Sequence, residues 1–212
     1  MVVAFDYSSL VSLELLRRQQ ECSTANEHPD PTIDAVLIIN GGLFADSHSH
    51  PWDTTPMLKT PVGQAAMWFG QHVPGVFEAT IRSAKLFSPS YEVSAAELAD
   101  LRDAILRRRG AAFMHRAAGF VDEHRRNAER WDLAAIVREL GNTVAFHIAG
   151  SDEDPFEPRQ IVAARERLAP FDVDIRTFPG GHLTTFEHPE LLADAIRELA
   201  DVHGVGQSCG HA

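Results

Sequence analysis

The stretch AFDYS, at residues 4–8, joins an apolar run at residues 2–5 to a helical pattern that begins at Leu10. Small residues two positions to either side of Asp6 allow a strand and a helix to approach closely. This is the pattern of a nucleophile elbow, in which the central residue sits in a strained turn with positive φ. The N-terminus of the following helix stabilises an anion there. The spacing alone leaves two interpretations open, a carboxylate nucleophile or a simple N-cap of the helix.

Four short apolar runs along the chain predict strands that are buried on both faces. The strands lie at residues 2–5, 35–40, 143–149 and 173–178, and helical patterns lie at residues 10–18, 160–168 and 189–202. Strands that alternate with helices form a parallel sheet with helices on its faces. Ligands bind at the carboxyl ends of the strands in such sheets. We therefore expect an α/β fold whose functional residues directly follow the strands.

The region 46–132 differs from the rest of the chain because it contains helical patterns and no convincing strand. These patterns lie at residues 62–72, 79–86, 95–109 and 111–130, and they carry apolar faces of their own. The sequence therefore predicts a helical insertion at residues 46–132 within a core formed by residues 1–45 and 133–203. Residues 204–212 are glycine-rich and are expected to form a flexible tail.

An acidic turn follows the third predicted strand, and a histidine follows the fourth. The turn contains Asp152 and Asp154, and an acid that orients a histidine belongs at such a place. Gly180 and Gly181 permit a tight turn that holds His182 over the sheet edge, within reach of a group on another loop. Each motif alone also fits a plainer interpretation, a solvated loop or a structural histidine. The chain order of aspartate, acid and histidine matches a hydrolase triad and favours the catalytic interpretation.

The composition is that of a globular chain without a membrane segment. The 212 residues carry a formal charge of −11, which disfavours binding to nucleic acid. No apolar run is long enough to span a membrane, and the N-terminus lacks the basic start of a signal peptide. The two cysteines are too few for a disulfide framework or a structural zinc site. We therefore expect a soluble, cytoplasmic protein without a metal or cofactor.

A metal site is a weaker alternative. His48 and His50 could bind a metal together with Cys209 and His211 near the C-terminus. A matching acidic or histidine cluster at metal-ligand spacing is not evident in the sequence. A polar loop is therefore the better interpretation of His48 and His50.

At these motifs the chain resembles the α/β-hydrolases. It is closest to the mesoderm-specific-transcript-like members, which are related to haloalkane dehalogenases and epoxide hydrolases. The matching segments are the elbow and its Glu-Leu-Leu helix (6–16), the Asn-Gly-Gly turn (40–44), the acid loop (150–158) and the histidine loop (181–189). The family has histidine at the position of Phe5 and glycine at the position of Ser8.

The resemblance implies a catalytic role for each motif. Asp6 would be the nucleophile, His182 the base that activates water, and Asp154 the acid that orients the base. Asp154 is preferred because the sequence DPFEP at residues 154–158 matches the usual Asp-Pro-x-x-Pro form. Asp152 and Asp46 remain alternatives for the acid.

The resemblance also implies a substrate site beneath a cap. The backbone amide of Tyr7 would stabilise an oxyanion, and Asn40 would contact the oxyanion or the substrate. Residues 46–132 would form the helical cap, with Arg130 and Trp131 at its exit. The expected activity is hydrolysis of a small apolar substrate, as in dehalogenases, epoxide hydrolases or esterases.

A contrasting prediction follows from the position of the elbow in the chain. Members of this family have further strands before the nucleophile strand, and those strands carry a second oxyanion donor. A chain that begins at the nucleophile strand is expected to expose an apolar sheet edge, which invites self-association. The alternative is therefore a truncated, catalytically inactive fragment or a pseudo-hydrolase.

Overall fold

The sheet at the centre of the fold is entirely parallel. The computed structural model describes residues 1–51, 54–84, 86–156 and 159–203. The four strands are β1 (Val2–Phe5), β2 (Ala35–Ile39), β3 (Ala145–Ser151) and β4 (Val173–Phe178), and they lie side by side in chain order. The predicted α/β class is thereby confirmed. The predicted flexible tail at residues 204–212 lies outside the described residues.

Helices cover both faces of the sheet and fill the region between β2 and β3. They are α1 (Ser8–Thr24), α2 (Thr55–Leu58), α3 (Pro61–His72), α4 (Val76–Ser83), α5 (Ala95–Leu106), a 3-10 turn (Arg107–Arg109), α6 (Gly110–Ala117), α7 (Phe120–Arg126), α8 (Leu133–Leu140), α9 (Gln160–Arg167), α10 (Thr184–Glu187) and α11 (Pro189–Val202). Among the residues that the structure describes, no helix is long and apolar enough to cross a bilayer.

Successive residues of β2 point to opposite faces of the sheet and build two separate cores. Ile38 packs in a core that also contains Leu13 of α1 and Ile136 of α8. Ile39 packs on the other face with Leu199 of α11. A strand that is covered on both faces needs apolar residues at every position, and this explains the unbroken apolar run at β2.

The helices between β2 and α8 have a small apolar core of their own. Phe77 and Ile81 of α4 pack there with Val93 and Leu98. This cluster is separate from the two cores on the sheet, whereas Phe120 and Val121 of α7 pack in the core that contains Leu13. The role of residues 46–132 as a cap and the domain limits at 45, 132 and 203 stay predictions.

Strand β1 lies at one edge of the described sheet. Among the described strands, β1 pairs with β2 alone, and Val3 is 40% exposed. Self-association through this edge stays a prediction.

Strand β3 begins two residues later than the sequence predicts. The amides of Thr143 and Val144 both donate to the carbonyl of Leu140, each at 2.8 Å, and so satisfy the end of α8. These two residues therefore cannot join the ladder, which starts at Ala145 and continues to Ser151.

Helical limits also differ in two places. Helix α1 continues to Thr24, beyond the helical pattern predicted at residues 10–18, and an ion pair of 2.8 Å between Arg17 and Glu21 supports the additional turns. The predicted helix at residues 111–130 is divided at Gly119 into α6 and α7.

Helix α8 is absent from the sequence prediction. The side chain of Asp132 caps its N-terminus and accepts the amides of Ala134 and Ala135. An aspartate before the sequence LAAIV was the signal for this helix.

Candidate active site

Asp6 occupies a strained turn between β1 and α1. Its φ is 50°, in the left-handed region that residues with a side chain rarely adopt. The Asp6 amide donates to the carbonyl of Ile39 at 3.1 Å, and the Asp6 carbonyl accepts from the amide of Ser9 at 2.9 Å. The predicted positive φ is confirmed. The N-cap position of α1 belongs to Tyr7, so the interpretation of Asp6 as a simple helix cap is wrong.

Small side chains allow this elbow to close. The hydroxyl of Ser8 donates to the carbonyl of Phe5 at 2.6 Å and accepts the amide of the same residue at 2.7 Å. Gly41, just after β2, lies so close to α1 that a Cβ there would be 2.4 Å from the Cβ of Ser9. The elbow therefore depends on a residue without a side chain in the neighbouring turn.

The histidine loop is built around two glycines and a buried glutamate. Gly180 has a φ of 106°, and a Cβ on Gly181 would lie 2.6 Å from the backbone of residues 87 and 88. The carboxylate of Glu187 accepts the amide of Gly181 at 2.9 Å and the amide and hydroxyl of Ser88 at 3.0 and 2.6 Å. Glu187 thus ties the histidine loop to the inserted helical region. The sequence gives no signal that would identify Ser88 as its partner.

Of the three acids considered, Asp154 is the one beside His182. Nδ1 of His182 lies 3.1 Å from both carboxylate oxygens of Asp154, and each side chain is almost fully buried. Asp154 also accepts the amide of Phe156 at 2.8 Å, which fixes the carboxylate. Asp152 accepts the amide of Gly180 instead.

Asp46, the weaker alternative for the acid, is engaged elsewhere. Its two carboxylate oxygens accept from the Arg167 guanidinium at 3.0 and 2.7 Å. This contact lowers the pKa of Asp46, and the side chain is 65% exposed. The geometry therefore does not favour Asp46 as the orienting acid.

His182 faces Asp6 with its second ring nitrogen. Nε2 lies 3.8 Å from Oδ2 of Asp6, an ion-pair distance that is too long for a direct hydrogen bond. Burial opposes the charged form of His182, but Asp154 and Asp6 outweigh it and raise the pKa of His182 to about 10. The two carboxylates on either side of His182 therefore favour the protonated form of its imidazole.

The carboxyl of Asp6 is stabilised in its ionised form. Burial opposes this form, yet the charge of His182 and the backbone amide of Tyr7 hold the pKa of Asp6 below its usual range. The side chain is still 35% exposed, so a small molecule can reach it. Tyr7 itself is 40% exposed, and its amide is the predicted oxyanion donor.

Asn40 joins the ends of two strands to the histidine loop. Its φ is 43°, and its side-chain nitrogen donates to the carbonyl of His182 and the hydroxyl of Ser151, each at 2.8 Å. Its side-chain oxygen accepts the amide of Ser151 at 2.7 Å. These contacts give Asn40 a positioning role toward His182, and its contact with an oxyanion or substrate stays a prediction.

The histidines considered for a metal site do not form one within the described part of the chain. Nδ1 of His48 lies 2.8 Å from Nδ1 of His124 on α7, and Nδ1 of His50 lies 2.6 Å from the hydroxyl of Thr55. A group of three potential ligands suitable for a metal is not found in the ranges that the structure covers. Cys209 and His211 lie outside those ranges.

The comparisons with known proteins identify the fold. No family model matches the sequence, and no curated protein is similar to it. A thermophilic esterase from Thermogutta terrifontis, solved with malate bound, superposes with a TM-score of 0.60 at 16% identity and covers 96% of this chain. A putative aryl esterase from Burkholderia cenocepacia superposes with a TM-score of 0.54 at 13% identity and covers 95% of this chain.

This chain spans 65% and 64% of the lengths of those two proteins. At such low identity the likeness concerns the fold alone. The four-stranded parallel sheet with its surrounding helices is the architecture of an α/β-hydrolase over the part that is shared.

Proposed function

We propose that the chain carries the reaction centre of a hydrolase whose nucleophile is Asp6. One observation carries the proposal, the linear arrangement of Asp6, His182 and Asp154. A carboxylate in a strained elbow faces one nitrogen of a buried imidazole, and a second carboxylate accepts from the other nitrogen. The three residues follow β1, β4 and β3, at the sheet edge where this class of fold binds ligands.

The first step is attack by Asp6 on an electrophilic carbon. Because the pKa of Asp6 is below its usual range, the carboxylate is anionic and nucleophilic at neutral pH. A bond forms between a carboxylate oxygen and the carbon, and the leaving group departs with its electron pair. At a saturated carbon the product is an ester of Asp6, and at the acyl carbon of an ester substrate it is a mixed anhydride. In both cases the substrate carbon is now bound covalently to the chain.

Ester formation converts His182 into a base. Asp6 loses its charge, so one of the two carboxylates that raise the pKa of His182 is removed and this pKa falls. The imidazole then releases its proton, which leaves with the departing group. Asp154 continues to accept from Nδ1, and the free Nε2 can take a proton from water.

The second step is hydrolysis of the Asp6 ester. Water activated by His182 gives its proton to Nε2 and attacks Cγ of Asp6, and the neighbouring Tyr7 amide is the proposed donor to the oxyanion that forms. The bond between Cγ and the substrate oxygen breaks, and the departing oxygen takes the proton of the new hydroxyl group on Cγ. An alcohol leaves the ester, or a carboxylic acid leaves the anhydride, and the Asp6 carboxylate is restored. The net reaction adds one water and releases the protonated leaving group.

The substrate we propose is small and apolar, with a leaving group on carbon or an ester linkage. Tyr91 is the one tyrosine between residues 46 and 132, and its hydroxyl donates to Glu97 at 2.6 Å. An epoxide would need a donor that polarises its oxygen, and Tyr91 is engaged elsewhere. This favours haloalkane-like or ester-like substrates over epoxides.

Oxygen-18 labelling tests the nucleophile directly. The protein is incubated in H₂¹⁸O with a panel of short haloalkanes, whose intermediate is an alkyl ester of Asp6, and the peptide that contains Asp6 is analysed by mass spectrometry. Because water attacks Cγ, we expect one ¹⁸O in the Asp6 carboxylate after turnover. Asp46→Asn is the matched control, since this exposed acid pairs with Arg167, and it should label like the wild type.

Three results separate the alternatives. If the wild type turns over a substrate and the variant Asp6→Asn loses both the activity and the label, the proposal is supported. Turnover in which the oxygen never enters Asp6 contradicts the proposed nucleophile. A folded protein that turns over no substrate of the panel supports the inactive pseudo-hydrolase instead.

A further inference from the structure

A short segment of the inserted helical region lies directly against the histidine loop. This segment consists of residues 86–88, between α4 and α5. Its backbone is so close to Gly181 that a Cβ on this glycine would lie 2.8 Å from the carbonyl oxygen of Leu86. A side chain does not fit between the two backbones, so the segment and the histidine loop are in direct contact.

Hydrogen bonds from this segment hold the backbone on both sides of the proposed base. The amide of Leu183, which follows the histidine, donates to the carbonyl of Leu86 at 3.0 Å. The amide of Gly181, which precedes the histidine, donates to Glu187, and the same carboxylate accepts from Ser88. The loop is therefore fixed to the inserted region twice, once directly and once through Glu187.

The carboxylate of Glu187 depends on Ser88 for its orientation. Both residues are buried, at 8% and 5% exposure. The Ser88 hydroxyl donates to Oε2 of Glu187 at 2.6 Å, whereas the amides of Ser88 and Gly181 donate to Oε1 at 3.0 and 2.9 Å. Within the described part of the chain, Oε2 accepts from no other group, and a buried carboxylate oxygen without a donor is costly. Removal of the hydroxyl should therefore let the carboxylate turn and release the Gly181 amide.

The segment itself is held by the packing of the inserted helices. Leu86 and Phe87 pack against the separate apolar core of that region. The Phe87 ring stacks on the Tyr91 ring with their centroids 5.5 Å apart, and it contacts the ring of Phe186 in α10 at 5.9 Å. The segment therefore connects the core of the inserted helices to the elements that carry the base.

We propose that Ser88 is a positioning residue for His182, which acts through Glu187 and holds the base within reach of the Asp6 ester. This inference rests on the proposed function, because it concerns the base of the same site. Nε2 of His182 lies 3.8 Å from Oδ2 of Asp6, so a small displacement of the histidine loop changes the position of the base relative to the ester. The inserted region thereby contributes to the reaction through the backbone of the histidine loop.

The two steps of the proposed reaction differ in their need for this positioning. The Asp6 carboxylate attacks the carbon of a bromoalkane without a base, and bromide leaves with the electron pair. Hydrolysis of the resulting ester requires His182 to take a proton from water. A displaced base should therefore slow the second step and leave the first nearly unchanged. The ester of Asp6 then accumulates, a result that a general loss of folding would not produce.

Intact-mass spectrometry with 1-bromobutane measures this accumulation. Each protein is mixed with the substrate, the excess is removed, and acid-quenched samples give the rate at which the butyl ester decays. We expect the decay in Ser88→Ala to be slower by about 10- to 100-fold, the typical effect of a misplaced catalytic group. Ser83→Ala is the matched control, because its exposed hydroxyl donates to the Thr80 carbonyl within α4, and it should decay like the wild type.

The NMR titration of the His182 ring protons is a second readout that needs no turnover. Burial lowers the pKa of His182 and the two neighbouring carboxylates raise it, so longer contacts in Ser88→Ala should move the titration to lower pH. Glu187→Gln is the conservative variant. Its amide oxygen can accept from Gly181 and Ser88, and its nitrogen can donate to the Ser88 hydroxyl. It should therefore retain most of the wild-type decay rate and titration, unlike Glu187→Ala.

The outcomes separate this inference from the proposed chemistry. Where the ester forms, its decay decides: slower decay in Ser88→Ala alone supports the positioning role. Decay at the wild-type rate, or equally slow decay in Ser83→Ala, overturns that role and leaves Asp6 as the nucleophile. If no ester forms in any of the proteins, Asp6 is rejected as a nucleophile toward bromoalkanes and the titration decides. A shift in Ser88→Ala then retains the positioning of His182, and an unchanged titration overturns it.

Discussion

Nδ1 of His182 lies 3.1 Å from both carboxylate oxygens of Asp154. Because Asp154 is almost fully buried and also accepts the amide of Phe156, the carboxylate has little freedom to turn away. The contact holds the proton on Nδ1 and directs Nε2 toward Asp6. Several measurable properties of the chain depend on this arrangement.

Replacing the acid should lower the pKa of His182. In Asp154→Asn the imidazolium loses its principal favourable partner, while the burial that opposes its charge is retained. We therefore expect the NMR titration of the His182 ring protons to move to lower pH. Asp152→Asn is the matched control on the same loop, and its titration should remain close to that of the wild type, since Asp152 accepts from Gly180.

The same ion-pair system should make stability depend on alkaline pH. The pKa of His182 is about 10 in the folded chain, above the value of about 6.5 expected when unfolded. Because folding raises the pKa of His182, the protonated histidine stabilises the folded chain fully at pH values below the unfolded pKa. This stabilisation is lost as the pH rises through the folded pKa. Urea unfolding should therefore show a free energy that falls between about pH 6.5 and about pH 10.

The variant His182→Gln isolates this contribution. The decline of its unfolding free energy over that range should be shallower than in the wild type. Identical slopes for the two proteins would exclude His182 as the titrating group.

Glu14 should contribute to stability above acidic pH. Its carboxylate accepts from Arg130 at 2.9 and 3.0 Å and from the indole of Trp131 at 2.8 Å. The hydrogen bonds from Arg130 are the main reason why the pKa of Glu14 falls to about 2. Because folding lowers the pKa of Glu14, its ionised carboxylate stabilises the folded chain at pH values above the ordinary pKa of glutamate. This stabilisation is lost as the pH falls through about 2.

The variant Glu14→Gln should reduce the free energy of unfolding by about 1–3 kcal/mol at neutral pH, the typical value of charged hydrogen bonds. Urea denaturation measures the change. Glu27→Gln, at an exposed position just after α1, should leave the free energy nearly unchanged. A loss of equal size in both variants would show that the contacts of Glu14 contribute nothing specific.

Gly41 and Ser9 should be energetically coupled. A methyl group on Gly41 would lie 2.4 Å from Cβ of Ser9, so Gly41→Ala must push α1 away from the sheet at an expected cost of about 1–3 kcal/mol. Removing the opposing Cβ with Ser9→Gly should recover part of this loss. A double-mutant cycle on unfolding free energies measures the coupling, and strict additivity would contradict the close contact.

The strands and the elbow could be predicted because they leave local signals. An unbroken apolar run such as AVLII marks β2, and small residues around Asp6 mark the turn. Position on the loop did not separate Asp152 from Asp154, and the preference for Asp154 came from the Asp-Pro-x-x-Pro form that the resemblance supplied. In the structure the amide of Gly180 donates to Asp152, whereas Asp154 lies beside His182.

Contacts between distant parts of the chain left no such signal. Glu187 and Ser88 are 99 residues apart, and neither belongs to a motif that would indicate the other. The contact of His48 with His124 likewise depends on how the inserted helices pack, which spacing along the sequence does not encode. Contacts between distant segments were therefore harder to predict than the motifs that carry the proposed chemistry.

Helix α1 connects the turn at Asp6 to the far end of the inserted helical region. It starts two residues after Asp6, and one side of it carries Glu14, which holds Arg130 and Trp131 at the far end of the inserted region. The part of the helix from Ser8 to Glu14 rises about 9 Å and is a rigid connection between the turn at Asp6 and the contacts of Glu14 with Arg130 and Trp131. The placement of Asp6 and the placement of the end of the inserted region are therefore fixed by one and the same helix.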